Sequence, residues 1–161
     1  MARPDYFLKI NGLDGESQVE AHKSEIHIDS FHLGVANHGA GHQGTGSGSG
    51  KAMVHDLHMT KQTDKASPNL FIACCNGKHF KDATLTVKRA GEHPHAYLVY
   101  KMDNVLISSY NSKSHPGGDI ATETLSLNFS KVEMSYIPQN KDGSPGAKIV
   151  KTFDVASNKA T

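Results

Sequence analysis

The stretch VHDLHMTKQTDKASPNLFIACCNG, from Val54 to Gly77, decides the fold class because it joins a strand pattern to a helix pattern. Ser67 predicts a helix N-cap, since its side-chain oxygen can accept a hydrogen bond from a backbone N–H at the helix start. Pro68 then occupies the first helical position, where a missing N–H costs nothing. Gly77 suits the left-handed residue that ends a helix. We therefore predict one short helix from about Ser67 to Gly77.

The predicted helix has one apolar face and two adjacent cysteines. Leu70, Phe71 and Cys74 line one face at helical spacing. Cys74 and Cys75 point to different faces of a helix, and a bridge between them would need strained geometry. We interpret both cysteines as buried small hydrophobic residues rather than as a redox pair.

Most of the remaining sequence alternates apolar and polar residues with a period of two, which predicts strands. About seven strands are predicted, at residues 6–10, 25–33, 51–60, 82–89, 96–109, 122–137 and 149–153. The alternation changes phase near Asp29–Ser30 and near Ser130–Lys131, which predicts a β-bulge at each point. Long bent strands favour a closed or nearly closed barrel. The fold class is therefore mainly β, with one short α-helix.

Length and charge restrict the function. The 161 residues fit a single domain, 1–161, and the formal net charge of +1 gives no general attraction for nucleic acid or acidic membranes. No apolar run approaches the roughly 20 residues of a membrane span. The N-terminus, MARPDYFLKI, lacks the pattern of a cleavable signal peptide. We expect no nucleic-acid partner and no membrane insertion, with synthesis in the cytoplasm and any export independent of a cleaved signal.

Residues 37–50, NHGAGHQGTGSGSG, form a glycine-rich segment. The segment cannot bury an apolar face, so it predicts a flexible surface loop. A phosphate-binding loop is not supported, because Lys51 is followed by Ala52 rather than by Ser or Thr, and a strand follows. The length of this loop suggests a role in binding or assembly.

Eleven histidines raise the question of a metal site. His55 and His58 are three residues apart, which places them on opposite faces of a strand. His93 and His95 flank a proline and could share a face, but no nearby cysteine or carboxylate pattern completes a site. We expect no metal, and interpret the histidines as surface residues that titrate near neutral pH.

No pattern in the sequence indicates catalysis or a cofactor. Serines are common, but none lies in a GxSxG context, and the carboxylates are scattered without an obvious pair. Asp64 stands just before the predicted helix, where a negative charge is favourable near the helix N-terminus. We therefore assign no catalytic residue and no cofactor, and expect that the chain is not an enzyme.

Several segments in a fixed order resemble the haemolysin-coregulated protein family, the inner-tube subunit of bacterial type VI secretion. The matching segments are YFLKINGLDGES (6–17), the strand at 25–34, the glycine-rich loop, DLHMTKQTDKASPNL (56–70), LTVKRAG (85–91), TETLSLNFSKVEMSYIPQ (122–139) and DGSPG (142–146). The resemblance runs nearly end to end, and the order and spacing of the segments make it specific.

The resemblance implies a compact two-sheet β-barrel with one helix that assembles as a homohexameric ring. Rings of this family stack into a hollow tube, which a contracting sheath propels beneath a spike, and some small effectors travel in the lumen. The expected location is the cytoplasm during assembly and then the extracellular medium or a target cell. Two alternatives remain: a lumenal chaperone or receptor for effectors as the main role, and a small metal-dependent enzyme that uses His93 and His95.

The resemblance also suggests two functional regions. In the family the loop that matches the glycine-rich segment reaches towards the next ring, which implies a ring-stacking role for His38, Gly39, Gly41, His42, Gly44, Gly46, Gly48 and Gly50. His32 stands where the family commonly places a small or aromatic residue that faces the lumen. We expect His32 to contact effectors and to make their binding depend on pH; the alternative is an ordinary solvent-facing histidine.

Overall fold

The computed structural model describes residues 5–39, 51–91 and 95–161, and within them the chain is mainly β with one α-helix. The strands are β1 Asp5–Ile10, β2 Ile26–Ile28, β3 Ser30–His32, β4 Val35–Asn37, β5 Ala52–Val54, β6 Leu57–Gln62, β7 His79–Lys88, β8 Ala96–Lys113, β9 Thr122–Asn128, β10 Lys131–Tyr136, β11 Ile149–Asp154 and β12 Lys159–Ala160. The helix α1 spans Ser67–Asn76, and a short 3-10 helix spans Glu20–His22. The predicted fold class is confirmed.

Ten strands form one hydrogen-bonded sheet, which bends along the long strand β8 into two layers that share one core. Layer A has the order β12-β11-β10-β8-β7-β1-β2, and layer B has the order β3-β6-β9-β8. The first part of β8, residues 96–106, pairs with β7, and the remainder pairs with β9. Within the described residues the sheet does not close into a barrel, because β2 pairs only with β1 and β3 pairs only with β6. The expectation of a closed barrel is therefore wrong in this detail.

Both predicted changes of phase are found, and each moves the chain from one layer to the other. Asp29 separates β2 in layer A from β3 in layer B. Its N–H donates to Thr60 O at 2.8 Å, and Ser30 is also opposite Thr60, so two residues face one as in a bulge. Residues 129–130 separate β9 in layer B from β10 in layer A. The register on β8 continues unshifted from the Leu106–Asn128 pair to the Asp103–Lys131 pair, so the β-bulge predicted at this second point is wrong. Each break therefore allows two consecutive strands to belong to different layers.

The single strand predicted at residues 51–60 is wrong, because the structure divides it into β5 and β6. β5 pairs with β4 in a separate two-stranded hairpin, whereas β6 pairs with β3 and β9. The backbone leaves the hairpin at His55, whose N–H donates to Gly34 O at 2.9 Å. As a result Met53 is 58% exposed, while Leu57 and Met59, which were expected on the same face, are buried in the core.

The helix ends as predicted but begins differently. Gly77 has a φ of 65°, and its N–H donates to Ala73 O, which is the left-handed ending expected of glycine. The N-cap is Ala66, and no side chain caps the helix. The prediction that Ser67 is the N-cap is therefore wrong. Its Oγ instead accepts from the Asp64 N–H at 3.0 Å, in the turn that precedes the helix.

The helix packs through a narrower face than the sequence predicts. Leu70 and Ala73 are buried, and Cys74 is half-buried against the core. Phe71 is 52% exposed, and its ring meets the Tyr110 ring edge-on at 6.0 Å. Cys75 is exposed, so the expectation that both cysteines are buried is wrong for this one.

A buried ionic cluster joins layer B to the start of the helix. The Lys61 side chain on β6 is fully buried, and its Nζ lies 2.7 Å from Glu123 Oε2 on β9. The same ammonium donates to Asp64 Oδ1 at 3.0 Å and to Ser67 Oγ at 3.2 Å. Tyr110 on β8 donates its hydroxyl to the second Glu123 oxygen. The cluster therefore fixes β6, β8, β9 and the turn before α1 to one another.

The protonation states of this cluster follow from burial and from its hydrogen bonds. Burial alone would raise the pKa of Glu123, but the bonds from Lys61 and Tyr110 outweigh it and lower that pKa below its ordinary value. Burial together with the bond to the Glu123 carboxylate raises the pKa of Tyr110 to about 12. At neutral pH Glu123 is therefore ionised and Tyr110 remains a hydrogen-bond donor.

We predict that Glu123→Gln lowers the free energy of unfolding by about 3 kcal/mol at neutral pH, because Lys61 loses its closest counter-charge in a buried site. The folded pKa of Glu123 is depressed, so its contribution is present above the ordinary carboxyl pKa of about 4.5 and is lost as the pH falls through the folded value. The difference between wild type and variant should shrink in acid. Urea unfolding measured across pH tests this.

The matched control is Glu133→Gln, which removes the carboxylate from the exposed Lys101–Glu133 pair at 4.0 Å. Exposed pairs contribute little, so this change should be within about 0.5 kcal/mol of wild type at every pH. Equal effects of the two substitutions, or a Glu123→Gln effect that does not change with pH, would show that the buried pair lacks the importance given to it here.

Candidate functional site

The inner face of layer A extends beyond layer B and leaves apolar side chains uncovered. Val132 and Met134 on β10 are the Cα partners of Met102 and Tyr100, which are buried in the core. Met134 lies on the same face as these core residues and is nevertheless 46% exposed. Ile149 on β11 is the Cα partner of Tyr136 on β10 and is 55% exposed. We call this uncovered part of β10 and β11 the overhang; its apolar residues are Val132, Met134, Tyr136, Ile149 and Phe153. The exposed Lys151 is the Cα partner of Met134 and lies on the same face.

An apolar groove runs between the overhang and the β4–β5 hairpin. Its volume is about 380 Å³, and it is lined by Leu33, Gly34, Val35, Ala52, Val54, Tyr100, Val132, Met134 and Phe153. Val35, on the hairpin side, is 67% exposed. No lining residue carries a charge. A surface of this kind can take an apolar segment of a partner.

The outer face of layer B has a different character and presents two rows of uncharged polar side chains. Strand register sets the rows, because directly opposite residues point to the same face. The first row is His32, His58, Ser126 and Ser109, and the second is Ser30, Thr60, Thr124 and Asn111. The residues between the rows, including Phe31, Met59 and Leu125, pack into or against the core. We call the two rows the polar face.

Hydrogen bonds along the rows hold the polar face together. Ser30 Oγ lies 2.5 Å from Thr60 Oγ1, and Ser109 Oγ lies 2.5 Å from Ser126 Oγ. A shallow pocket of about 420 Å³ opens between β3 and β8 on this face, with His32 and His58 in its lining. The two rows contain no lysine, arginine or carboxylate. The same face continues to the exposed Lys113, and the Asp56 carboxylate accepts a hydrogen bond from Ser108 beside Ser126. The rows themselves can therefore form hydrogen bonds without a fixed charge.

The structure describes only some of the predicted site residues. His32 is exposed on the polar face, as its sequence parity suggested. His38 and Gly39 follow β4 and are exposed. The other predicted stacking residues, Gly41, His42, Gly44, Gly46, Gly48 and Gly50, lie outside the described residues, as does His93.

The metal and membrane questions can be addressed for the described part of the chain. His55 lies between β5 and β6 rather than on a strand with His58. Within residues 5–39, 51–91 and 95–161 there is no group of three or more His, Cys, Asp or Glu side chains placed to hold a metal ion. Within the same ranges no helix is both long and apolar enough to span a bilayer.

Sequence reasoning missed His58 as the neighbour of His32. His32 and His58 are far apart in the sequence, and only the β3–β6 register brings them opposite each other. The overhang is visible in the sequence as an alternation of apolar residues at Val132, Met134 and Tyr136. These follow Leu125, Leu127 and Phe129, which already supply the core, so they indicate additional apolar surface.

Comparison with known proteins places this fold in a class, the mainly β proteins of type VI secretion. A solved structure described as a type six secretion system protein has 31% sequence identity to the chain, covers 99% of it and 100% of its own length, and gives a TM-score of 0.93. Hcp1 from Salmonella typhimurium has 34% identity, full coverage of both chains and a TM-score of 0.80.

The sequence comparisons agree with the structural ones. The family model for the type VI secretion system effector Hcp matches residues 7–136. Protein hcp1 of Pseudomonas aeruginosa is 40% identical over 148 residues, which cover 91% of each chain. The chain belongs to the Hcp family and is a type VI secretion protein, which confirms the resemblance drawn from the sequence.

Proposed function

We propose that this chain, as one domain, is the tube subunit of a type VI secretion system. Six copies close into a ring, rings stack into a hollow tube, and small effectors occupy the lumen. The ring assembles in the cytoplasm and leaves the cell through the sheath and spike machinery, without a cleaved signal and without catalysis by the chain. The number of subunits follows the family, whereas the need for a partner follows from the overhang.

The overhang is the observation that carries the proposal. A single copy leaves Met134, Tyr136 and Ile149 partly in water although they continue a core-facing sheet surface. The groove beside them has the β4–β5 hairpin as its other wall. A neighbour that inserts an apolar surface here would cover both. Such a contact joins different patches of two copies, and contacts of this heterologous kind form a closed ring when the rotation between copies is right.

The polar face supports a lumenal position for layer B. The two rows carry no lysine, arginine or carboxylate, and their hydroxyl, amide and imidazole groups can form hydrogen bonds with a passing protein. The His32 side chain is exposed on this face. The alternative emphasis, a ring that serves chiefly as an effector receptor, is favoured by the pocket between β3 and β8. The two roles are compatible, and effector pull-down with variants of the polar face would apportion them.

We predict that Met134→Lys prevents ring formation, because a charge would have to be buried at the contact between copies. Native mass spectrometry of the purified protein should show monomers in place of hexamers. The matched control is Ile120→Lys, which introduces the same charge at a similarly exposed apolar residue outside the groove and should leave hexamers intact. Hexamers formed by Met134→Lys would exclude the overhang from the interface.

We predict that removing residues 38–50 impairs stacking but not ring closure. Asn-Gly in place of the segment leaves, with Lys51, a three-residue loop between the paired Asn37 and Ala52, and loops of this length are common in β-hairpins, so the β4–β5 hairpin should be preserved. Native mass spectrometry should still show hexamers, and negative-stain images should show isolated rings. Tubes of normal length from this variant would remove the stacking role assigned to the segment.

We predict that His32→Ala weakens effector retention in a pH-dependent manner. Imidazole is the side chain whose ordinary pKa lies nearest to neutral pH, so retention by the wild-type ring should vary between about pH 5.5 and 7.5 and retention by the variant should vary less. Co-purification of a small effector from the same secretion system measures the effect. His79→Ala, an exposed histidine on β7 in layer A, is the control. Equal retention by wild type and His32→Ala at every pH would leave His32 as an ordinary surface residue.

A further inference from the structure

We propose that His32 and His58 together bind one divalent transition-metal ion, such as Zn²⁺, on the polar face. The observation is their register. His32 on β3 is the Cα partner of His58 on the antiparallel strand β6. Directly opposite residues on such strands have Cβ atoms about 4.5–5.5 Å apart and point to the same side of the sheet. The two imidazoles therefore project from one site.

The separation of the two side chains suits a shared ion. Imidazole nitrogen binds Zn²⁺ at about 2.0–2.1 Å, so two rings from neighbouring strands can reach one ion between them. Both side chains are exposed, which leaves their rotamers free to turn towards the ion. Both histidines line the same pocket of about 420 Å³.

The surroundings indicate which ions the pair would take. The two rows of the polar face contain no lysine or arginine to repel a cation, and no carboxylate to favour Ca²⁺ or Mg²⁺. Imidazole suits Zn²⁺, Cu²⁺ and Ni²⁺. Two protein ligands leave the remaining coordination positions to water or to a group on another molecule. The site is therefore an open, exchangeable one rather than a structural metal centre, and it does not depend on ring formation.

This pair differs from the combinations that the sequence suggests. His55 and His58 are close in the chain but do not share a strand, whereas His32 and His58 are brought together only by the pairing of β3 with β6. In the proposed ring each copy would present one such pair towards the lumen. The metal site would then lie on the surface past which effectors move.

Calorimetric titration with Zn²⁺ alone tests the site on the full chain, in whatever oligomeric state it adopts. The other histidines can bind weakly, so the test compares stoichiometries between variants. At about pH 7.5, His32→Asn should lose one Zn²⁺ per chain relative to wild type, and His58→Asn should lose the same one. The double variant should lose no more than either single variant, because both side chains serve one ion. His79→Asn is the matched control and should keep the wild-type stoichiometry.

Circular dichroism should show the wild-type fold for all four variants, as expected for substitutions of exposed residues. The proposal would be overturned by single variants that retain the wild-type stoichiometry, or by losses that add in the double variant.

Discussion

Layer A contains seven strands and layer B four, and this inequality is the constraint on which the account depends. A sheet with an apolar inner face needs cover along its whole width, and layer B covers only part of it. The β4–β5 hairpin extends the cover but leaves a groove. Met134, Tyr136 and Ile149 consequently remain partly exposed in one copy of the chain. Contact with a partner would cover this exposed apolar surface of layer A.

The free energy available from burying the overhang argues for an interface larger than the overhang itself. Complete burial of one large apolar side chain contributes about 1.5–3 kcal/mol, and the overhang residues are already about half-buried. The overhang therefore supplies only a few kcal/mol per copy, whereas association costs an estimated 4–15 kcal/mol or more. The exposed hairpin residues Val35 and Met53 provide further apolar area next to the groove. We infer that the proposed interface includes the hairpin as well as the overhang.

The buried cluster around Lys61 has a different role. Replacing a buried ion pair by apolar residues is often neutral, so the pair is weak evidence for a gain in stability over a hydrophobic alternative. Its geometry instead sets positions: Lys61 reaches Glu123 in the sheet and Asp64 before the helix with one ammonium group. Layer B, whose outer face forms the polar face, is thereby fixed relative to α1. We infer that the cluster specifies where this layer lies.

Much of the fold could be predicted from local pattern. Strand alternation and the phase changes near Asp29 and Ser130 are local signals, and the structure contains both breaks. Gly77 as the end of the helix is local as well. The Ser67 cap failed because Lys61 and Asp64 engage its hydroxyl, and this competition depends on tertiary structure. The pairing of His32 with His58 and the Lys61–Glu123 contact depend on strand register, which no short window of sequence contains.

A cryo-electron microscopy reconstruction of the purified assembly would test the central claim most directly. The account predicts a closed ring in which Met134 and Ile149 are buried against the neighbouring copy and the polar face lines the central channel. A ring that leaves the overhang in solvent, or one that turns layer B outward, would contradict it.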